Sequence, residues 1–517
     1  TGGGKTLASL RFALRHAQVH QLDRVIYVIP YTSIIDQNAE VARRILEEEE
    51  PEGSIVLEHH SNFLPERGGE DTEKRWEMLA ENWDAPVIFT TMAQFLESLF
   101  GSGTRHARRM HNLAHSVIIF DEIQTLPLKC MHMFCNAADF LVCSSGASIV
   151  FCTATQPGFD NIPDPLLGSF KIDPNRELMP NVESLFARFK RTDFFLHCQR
   201  LMTSEDITKL AFKELSLHGS CLVVCNTKKM AENIYELAGE CKDIHRYYLS
   251  TSLCPAHRMK KLDDLRKDLL NDGPVLCVST QLIECGVDIS FNSVIRLAAG
   301  LDSILQSAGR CNRHADGKNN GPVHVVLAEE KGLDRLQDIK EGQTIFLDML
   351  SLHAQDLDAS DNDLTDPQFI REYFTRYFFK RGNTLSYAVS KNDEGMSRSD
   401  TLLNMLGSNE YTGGRLSYPL LGQSFATAAR LFAPIDSSAT GVIVPYGREG
   451  RYLVSELCSS SFIHRKKELL RKAQRFSVNI FPYALEELKK AGALHEIQDS
   501  GILYLTEQFY SDSLGVM

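Results

Sequence analysis

The sequence predicts an α/β protein of two tandem lobes, each a parallel sheet with crossover helices, followed by a helical connector and a small accessory domain. Two observations predict it. Strand-sized apolar runs rich in Val and Ile alternate with helical stretches, and the whole alternation occurs twice. The first set is RVIYVIP (24–30), PVIFTT (86–91), SVIIFDE (116–122) and ASIVFCTAT (147–155). The second is CLVVCN (221–226), PVLCVST (274–280), SVIRLAA (293–299) and PVHVVLA (322–328). The sets divide near residue 190, so the expected domains are a first lobe over 1–190 and a second over 191–332. Beyond about 335 the strand runs fade into helical and charged sequence, giving a connector over 333–408 and an accessory domain over 409–517. A chain of 517 residues suits about three domains, and 43% hydrophobic residues are ample for several cores.

Taken in order, the chain opens TGGGKTLASL, where Leu7, Leu10 and Leu14 share one helical face and place Lys5 and Thr6 at that helix's N-terminus. The stretch EEEEPEG at 47–53 reads as a solvated helix end and turn. The 13 cysteines are odd in number, form no CxxC pair and sit largely in apolar runs, which reads as reduced buried thiols. No apolar run reaches the roughly 18 residues of a membrane span and no signal-peptide pattern opens the chain, so no membrane association and a cytoplasmic location are expected. A net charge of −12 argues weakly, as a bulk property, against a nucleic-acid partner. Local basic clusters run the other way: RHARRMH (Arg105, Arg108, Arg109), REYFTRYFFKR (371–381) and HRKKELLRKAQR (464–475). For each, the simplest alternative is a solvated helix face.

A phosphate-binding loop needs small residues whose N–H groups turn toward phosphate, a lysine for charge and a hydroxyl for magnesium. Gly2, Gly3, Gly4, Lys5 and Thr6 supply these parts. In SVIIFDE, four apolar residues end in Asp121 and Glu122, so two carboxylates emerge at the carboxyl end of a buried strand, where open α/β sheets bind ligands. Asp121 is the candidate magnesium ligand together with Thr6, and Glu122 the candidate base or water-orienting group. QSAGRCNR offers Arg310 and Arg313, three residues apart and on one face if helical, to meet charge developing at a γ phosphate.

Together TGGGKT, DEIQ, TATQP, STQLIECGVDIS and DSILQSAGRCNR resemble, in that order, motifs I, II, III, V and VI of superfamily 2 helicases. TTMAQF, LSTSLCPAHR, TQLIECGVDIS and ILQSAGRCNR are similar to the CRISPR-associated helicase of type I interference systems, over about residues 1–330. The resemblance implies two RecA-like lobes and ATP and Mg2+ as nucleotide and metal. It implies phosphate and magnesium roles for Lys5, Thr6, Asp121 and Glu122. Coupling roles fall on Thr153 and Thr155, nucleotide or strand contacts on Thr280, Gly286 and Asp288, and nucleotide contacts on Gln306, Arg310 and Arg313. It further implies ATP-driven 3′ to 5′ translocation on single-stranded DNA, recruitment by the CRISPR surveillance complex, and delivery of the strand to an HD-type nuclease.

Two features depart from the pattern. Position 124 is Gln where many relatives carry His, and no His-Asp dipeptide, which an HD nuclease needs, occurs anywhere. EHHSNF (58–63) has paired histidines but no adjacent Asp and is not taken as a metal site. The expectation is therefore a helicase body cut within its phosphate loop, with the nuclease in a lost N-terminal domain or a separate chain. Such a chain should bind ATP weakly and cleave no DNA. Strand contacts are expected at Thr91, Thr251 and Thr280, with steering by Arg105, Arg108 and Arg109. Two alternatives stand beside this reading: another superfamily 2 repair or RNA helicase, and a nucleotide-gated clamp without productive hydrolysis.

Overall fold

A computed structural model describes residues 5–30, 32–48, 53–60, 76, 78–153, 155, 157–241, 243–271, 273–284, 287–314, 320–359, 363–393, 395–409, 422–435, 439–459, 462–498 and 500–517. These residues form two compact units, each discontinuous in sequence. One comprises the described residues within Gly3–Glu183 and Pro367–Asp436, the other those within Ser184–Asp366 and Ser437–Met517.

In the first unit, β1 (Arg24–Ile29), β2 (Val56–His59), β3 (Val87–Thr91), β4 (Ser116–Asp121) and β5 (Ser148–Cys152) form one sheet in the order β2-β3-β1-β4-β5. Every pairing is parallel. The central strands must be apolar on both sides because helices cover both faces. On one face Val25, Tyr27 and Ile29 of β1, with Val117 and Ile119 of β4, pack against Leu10 and Ala13 of the helix Lys5–His20 and Ile35 and Ala39 of the helix Thr32–Leu46. On the other, Phe120 meets Phe95 and Phe134 edge to face at 5.0 and 5.1 Å between ring centroids. The acidic stretch at 47–53 departs from expectation at its first residue. Glu47 is buried, and its carboxylate accepts the N–H groups of Gly53, Ile55 and Val56 at 2.7–2.8 Å, folding the chain back into β2.

The later segment of this unit begins with the helix Pro367–Lys380. Its aromatics are mainly core, since Phe369, Tyr373, Phe374 and Phe378 are buried while Arg371, Arg376 and Lys380 face solvent. A short antiparallel pair follows, β12 (Ala388–Val389) with β13 (Asp400–Thr401). This segment is tied to the lobe by the Lys129 ammonium 4.5 Å over the Tyr387 ring, by the His132 N–H to the Leu385 carbonyl, and by Phe432 against Phe100.

The second unit holds β6 (Thr192–Met202), β7 (Ser220–Cys225), β8 (His245–Leu249), β9 (Val275–Thr280), β10 (Ser293–Leu297) and β11 (Gly321–Ala328). They form a parallel sheet in the order β6-β11-β10-β7-β9-β8. The chain is thus an α/β protein with two parallel-sheet lobes. Cys221, Cys225 and Cys277 are fully buried in central strands, and burial pushes their thiols up so that they stay protonated. The same unit contains a smaller mixed sheet of β14 (Thr440–Ile443), β15 (Ser477–Ile480), β16 (Leu494–Glu496) and β17 (Leu503–Leu505), in the order β15-β14-β17-β16. Val442, Val444, Leu453, Leu457, Val478 and Leu505 belong to its core. A last antiparallel pair joins β18 (Tyr510–Ser511) to β19 (Gly515–Val516). Among the described residues no helix is long and apolar enough to cross a membrane.

Candidate active site

In the first unit the site forms at the carboxyl end of β4. The ladder with β5 runs one residue past the strand, since the Glu122 N–H donates to the Cys152 carbonyl at 2.8 Å. Glu122 then takes a left-handed conformation, φ 52° and ψ 51°, before a short 3-10 turn Ile123–Thr125. For a residue other than glycine that conformation costs about 1–3 kcal/mol and persists where its surroundings over-determine it. The surroundings here do. Lys5 Nζ donates to Glu122 Oε1 at 2.9 Å and lies 3.7 Å from Asp121 Oδ1. Gln124 donates its amide N–H to Glu122 Oε2 at 2.7 Å, while its own oxygen accepts the Thr153 hydroxyl at 2.6 Å. The Thr155 N–H in turn donates to that hydroxyl at 3.0 Å. A carboxylate can only accept, so the Gln124 amide has one orientation that serves both neighbours.

The charges follow from this packing. Burial opposes charge on Lys5, but Glu122 and Asp121 outweigh it and hold the ammonium protonated well above its ordinary range. Burial raises the Asp121 carboxyl beyond what Lys5 offsets; for Glu122 the same burial is outweighed by Lys5, and the carboxyl is lowered. Asp121 Oδ1 is buried with no hydrogen-bond partner among the described residues. An oxygen in that condition suits a hard cation, and the Thr6 hydroxyl, which donates to Asn38 Oδ1 at 3.3 Å, belongs to the same lobe. The residues present therefore fit magnesium. Gly2, Gly3 and Gly4 lie outside the described residues.

In the second unit the expected helical pairing of Arg310 with Arg313 does not occur. The helix Leu301–Ala308 stops at Gly309, and a bridge between Cys311 and Phe291 draws the chain back toward the sheet. Arg310 turns inward, 7% exposed, and donates to the backbone carbonyls of Ile283 and Glu284 at 3.0 and 2.7 Å. Arg313 instead pairs with Asp288 at 2.6 Å; burial works against the Asp288 charge, but Arg313 prevails and keeps that carboxyl below its usual range. Gln306 lies partly buried on the same helix, and Gly286 falls outside the described residues.

Beneath this loop lies a network that motif reading missed. Glu284 and Arg296 pair at 2.9 Å, both buried, and the Ser303 and Ser307 hydroxyls donate to the Glu284 carboxylate. Arg296 also donates to Asn226 Oδ1 and the Leu297 carbonyl. Removing one partner of a buried pair strands the other's charge. Arg296→Ala is expected to cost about 3–5 kcal/mol in chemical denaturation, whereas a loss under about 1 kcal/mol would show that the network is dispensable.

The strand candidates separate by exposure. Thr91 caps the helix Met92–Phe100, accepting the Gln94 N–H; Thr251 is exposed just beyond β8; Thr280 is partly buried at the end of β9. Arg105 and Arg108 are exposed and share Glu81 at 3.3 and 3.2 Å. Arg109 corrects the expectation of a solvent-facing trio. It is 5% exposed, donates to the Ala80 carbonyl and Gln94 Oε1, and lies over the Trp83 ring.

Comparison with known proteins adds the following similarities. Residues 1–162 match the DEAD/DEAH box helicase family, and residues 218–316 match the C-terminal family of the CRISPR-associated nuclease/helicase Cas3. The CRISPR-associated nuclease/helicase Cas3 of Haloferax volcanii is 26% identical, covering 63% of this chain and 45% of its own length. The chain is similar to Cas3-type helicases of superfamily 2. The chain spans about half the length of the curated relatives it matches. Its fold is that of T. fusca Cas3, with a TM-score of 0.65 at 14% identity over 98% of this chain and 64% of that one. The T. fusca Cas3-ATP structure gives 0.63 at 16%, over 96% and 62%.

Proposed function

We propose that the chain is the motor body of a CRISPR-associated, ATP-hydrolysing translocase that moves 3′ to 5′ on single-stranded DNA. One observation carries the reading: the hydrogen-bond chain Lys5–Glu122–Gln124–Thr153–Thr155, which joins three helicase motifs through the group that would activate water. In the cycle that follows, Lys5 leaves Glu122 for the β and γ phosphates of ATP, and the freed carboxylate orients the attacking water and takes its proton. Asp121 and Thr6 would hold magnesium, which would supply charge neutralisation at those phosphates. Gln124 follows the Glu122 carboxylate, and Thr153 and Thr155 pass its position to the loop beyond β5. Arg313 stabilises the charge of the transferring phosphoryl group. By family resemblance the partners are single-stranded DNA and the CRISPR surveillance complex, and the location is the cytoplasm.

An ATPase assay with and without single-stranded DNA tests the whole reading. Turnover should rise on adding DNA, more than on adding RNA; a rate indifferent to both would sink it. Strand gripping through phosphates leaves any sequence readable, and Thr91, Thr251 and Thr280 are the short donors for it. The exposed pair Arg105 and Arg108 adds steering. Replacing both with Gln should lower the slope of log affinity against log salt by about one unit or more. An unchanged slope would leave them as surface partners of Glu81 only.

A further inference from the structure

The loop carrying Thr251 is held from beneath by the hairpin β18–β19. Of the residues 250–254, only Thr251 is exposed, while Ser250, Ser252, Leu253 and Cys254 are buried. The loop's own bonds are few: the Ser252 N–H donates to the Ser250 hydroxyl, and the Leu253 N–H to the Ser250 carbonyl at a long 3.3 Å. The hairpin supplies the rest. The Val516 N–H donates to the Ser252 carbonyl at 3.0 Å. The Tyr510 hydroxyl accepts the Cys254 N–H at 3.1 Å and lies 3.0 Å from His257 Nδ1. Burial, with Lys261 nearby, lowers His257 to about 4, so its neutral ring can accept the Tyr510 proton, for which Cys254 Sγ at 3.5 Å is a second acceptor. Lys261 Nζ donates to the Ser513 carbonyl at 2.8 Å.

Packing fixes the hairpin as firmly as its hydrogen bonds. Leu514 rests on the core of the second lobe, whereas Tyr510 and Val516 rest on the core of the mixed sheet, which itself includes Cys254. Gly515 has φ 86°, and any Cβ there would run into the Ser252 carbonyl oxygen. The two backbones are therefore in direct contact, which only glycine permits at that point.

We propose that the hairpin, through Tyr510 and Gly515, is a positioning element for strand binding that sets the loop 250–254 so that Thr251 meets a strand phosphate. It rests on the reading of Thr251 as a strand contact. In this role Tyr510 acts through the backbone of its neighbours.

The test uses ATPase titrations with an oligodeoxythymidylate. Tyr510→Phe, which keeps the ring and deletes the hydroxyl, should raise the KM for the oligonucleotide by about 2- to 10-fold, the effect of one hydrogen bond, with kcat and nucleotide affinity within about twofold of the parent. Gly515→Val should raise it further. Thr251→Ala should also raise KM, and Tyr510→Phe added to it should have less effect than it has alone, as expected of coupled residues. A raised KM in Thr251→Ala with an unchanged one in both Tyr510→Phe and Gly515→Val overturns the positioning role alone. An unchanged KM in Thr251→Ala overturns the strand-contact reading and the positioning role with it.

Discussion

Glu122→Gln is expected to bind nucleotide nearly as the parent does and to lose turnover by about 100- to 10,000-fold, the usual effect of losing a positioned base. The amide is isosteric with the carboxylate but cannot take a proton from water. The structure adds a second consequence. Glu122 accepts from Lys5 on one oxygen and from Gln124 on the other, so a glutamine there must present an N–H to one of two donors. The less costly adjustment turns the Gln124 amide over, so that its bond with the Thr153 hydroxyl reverses and the hydroxyl donates to the Thr155 carbonyl instead. Residual turnover in this variant should therefore respond less to single-stranded DNA than the parent's. Single-turnover ATPase measurements check both statements; a rate within a few-fold of the parent would remove Glu122 from its role.

Arg313→Ala should reduce turnover by on the order of 1,000-fold or more while leaving strand affinity without nucleotide nearly unchanged. Its guanidinium is held by the half-exposed Asp288, a partner it can exchange for phosphate without disturbing a core. Arg310 is differently placed. Its donors are committed to the carbonyls of Ile283 and Glu284, so Arg310→Ala should lower folding stability and depress strand binding and turnover together. Measuring binding and turnover side by side separates the two arginines. Equal losses of both in Arg313→Ala would mean that it too serves the fold.

Central strands were legible in the sequence because burial on both faces demands continuous apolar runs, and β1, β3, β4, β7, β9, β10 and β11 all have them. Within the two parallel sheets, the strands that pattern reading passes over, β2, β6 and β8, are edges. VLEH, TDFFLHCQRLM and HRYYL carry polar and charged residues because one side of an edge strand needs no partner. The acidic pair at 121 and 122 was legible for the same reason as its strand. What motif spacing could not show is direction. Arg310 and Arg313 read as equivalents until the stop at Gly309 turns one inward, and Arg109 reads like its neighbours until Trp83 packs beneath it. One signal was available and unused: Glu284 in QLIECGV and Arg296 in SVIRLAA are single charges inside apolar runs, and a buried charge requires a partner.

The alternation of segments between the two compact units means that, among the described residues, the chain passes from one to the other three times, at the boundaries after 183, 366 and 436. Neither unit can be excised as a continuous fragment. A protein truncated at 366 would lose Tyr387 from under Lys129, the Leu385 carbonyl from His132 and Phe432 from Phe100 in one unit, and the β18–β19 hairpin in the other. A single proteolytic nick at any of the three passages, by contrast, leaves every segment lodged in its own unit, and the two units still share a peptide link. Limited digestion should therefore yield fragments that co-migrate under native conditions and separate only on denaturation.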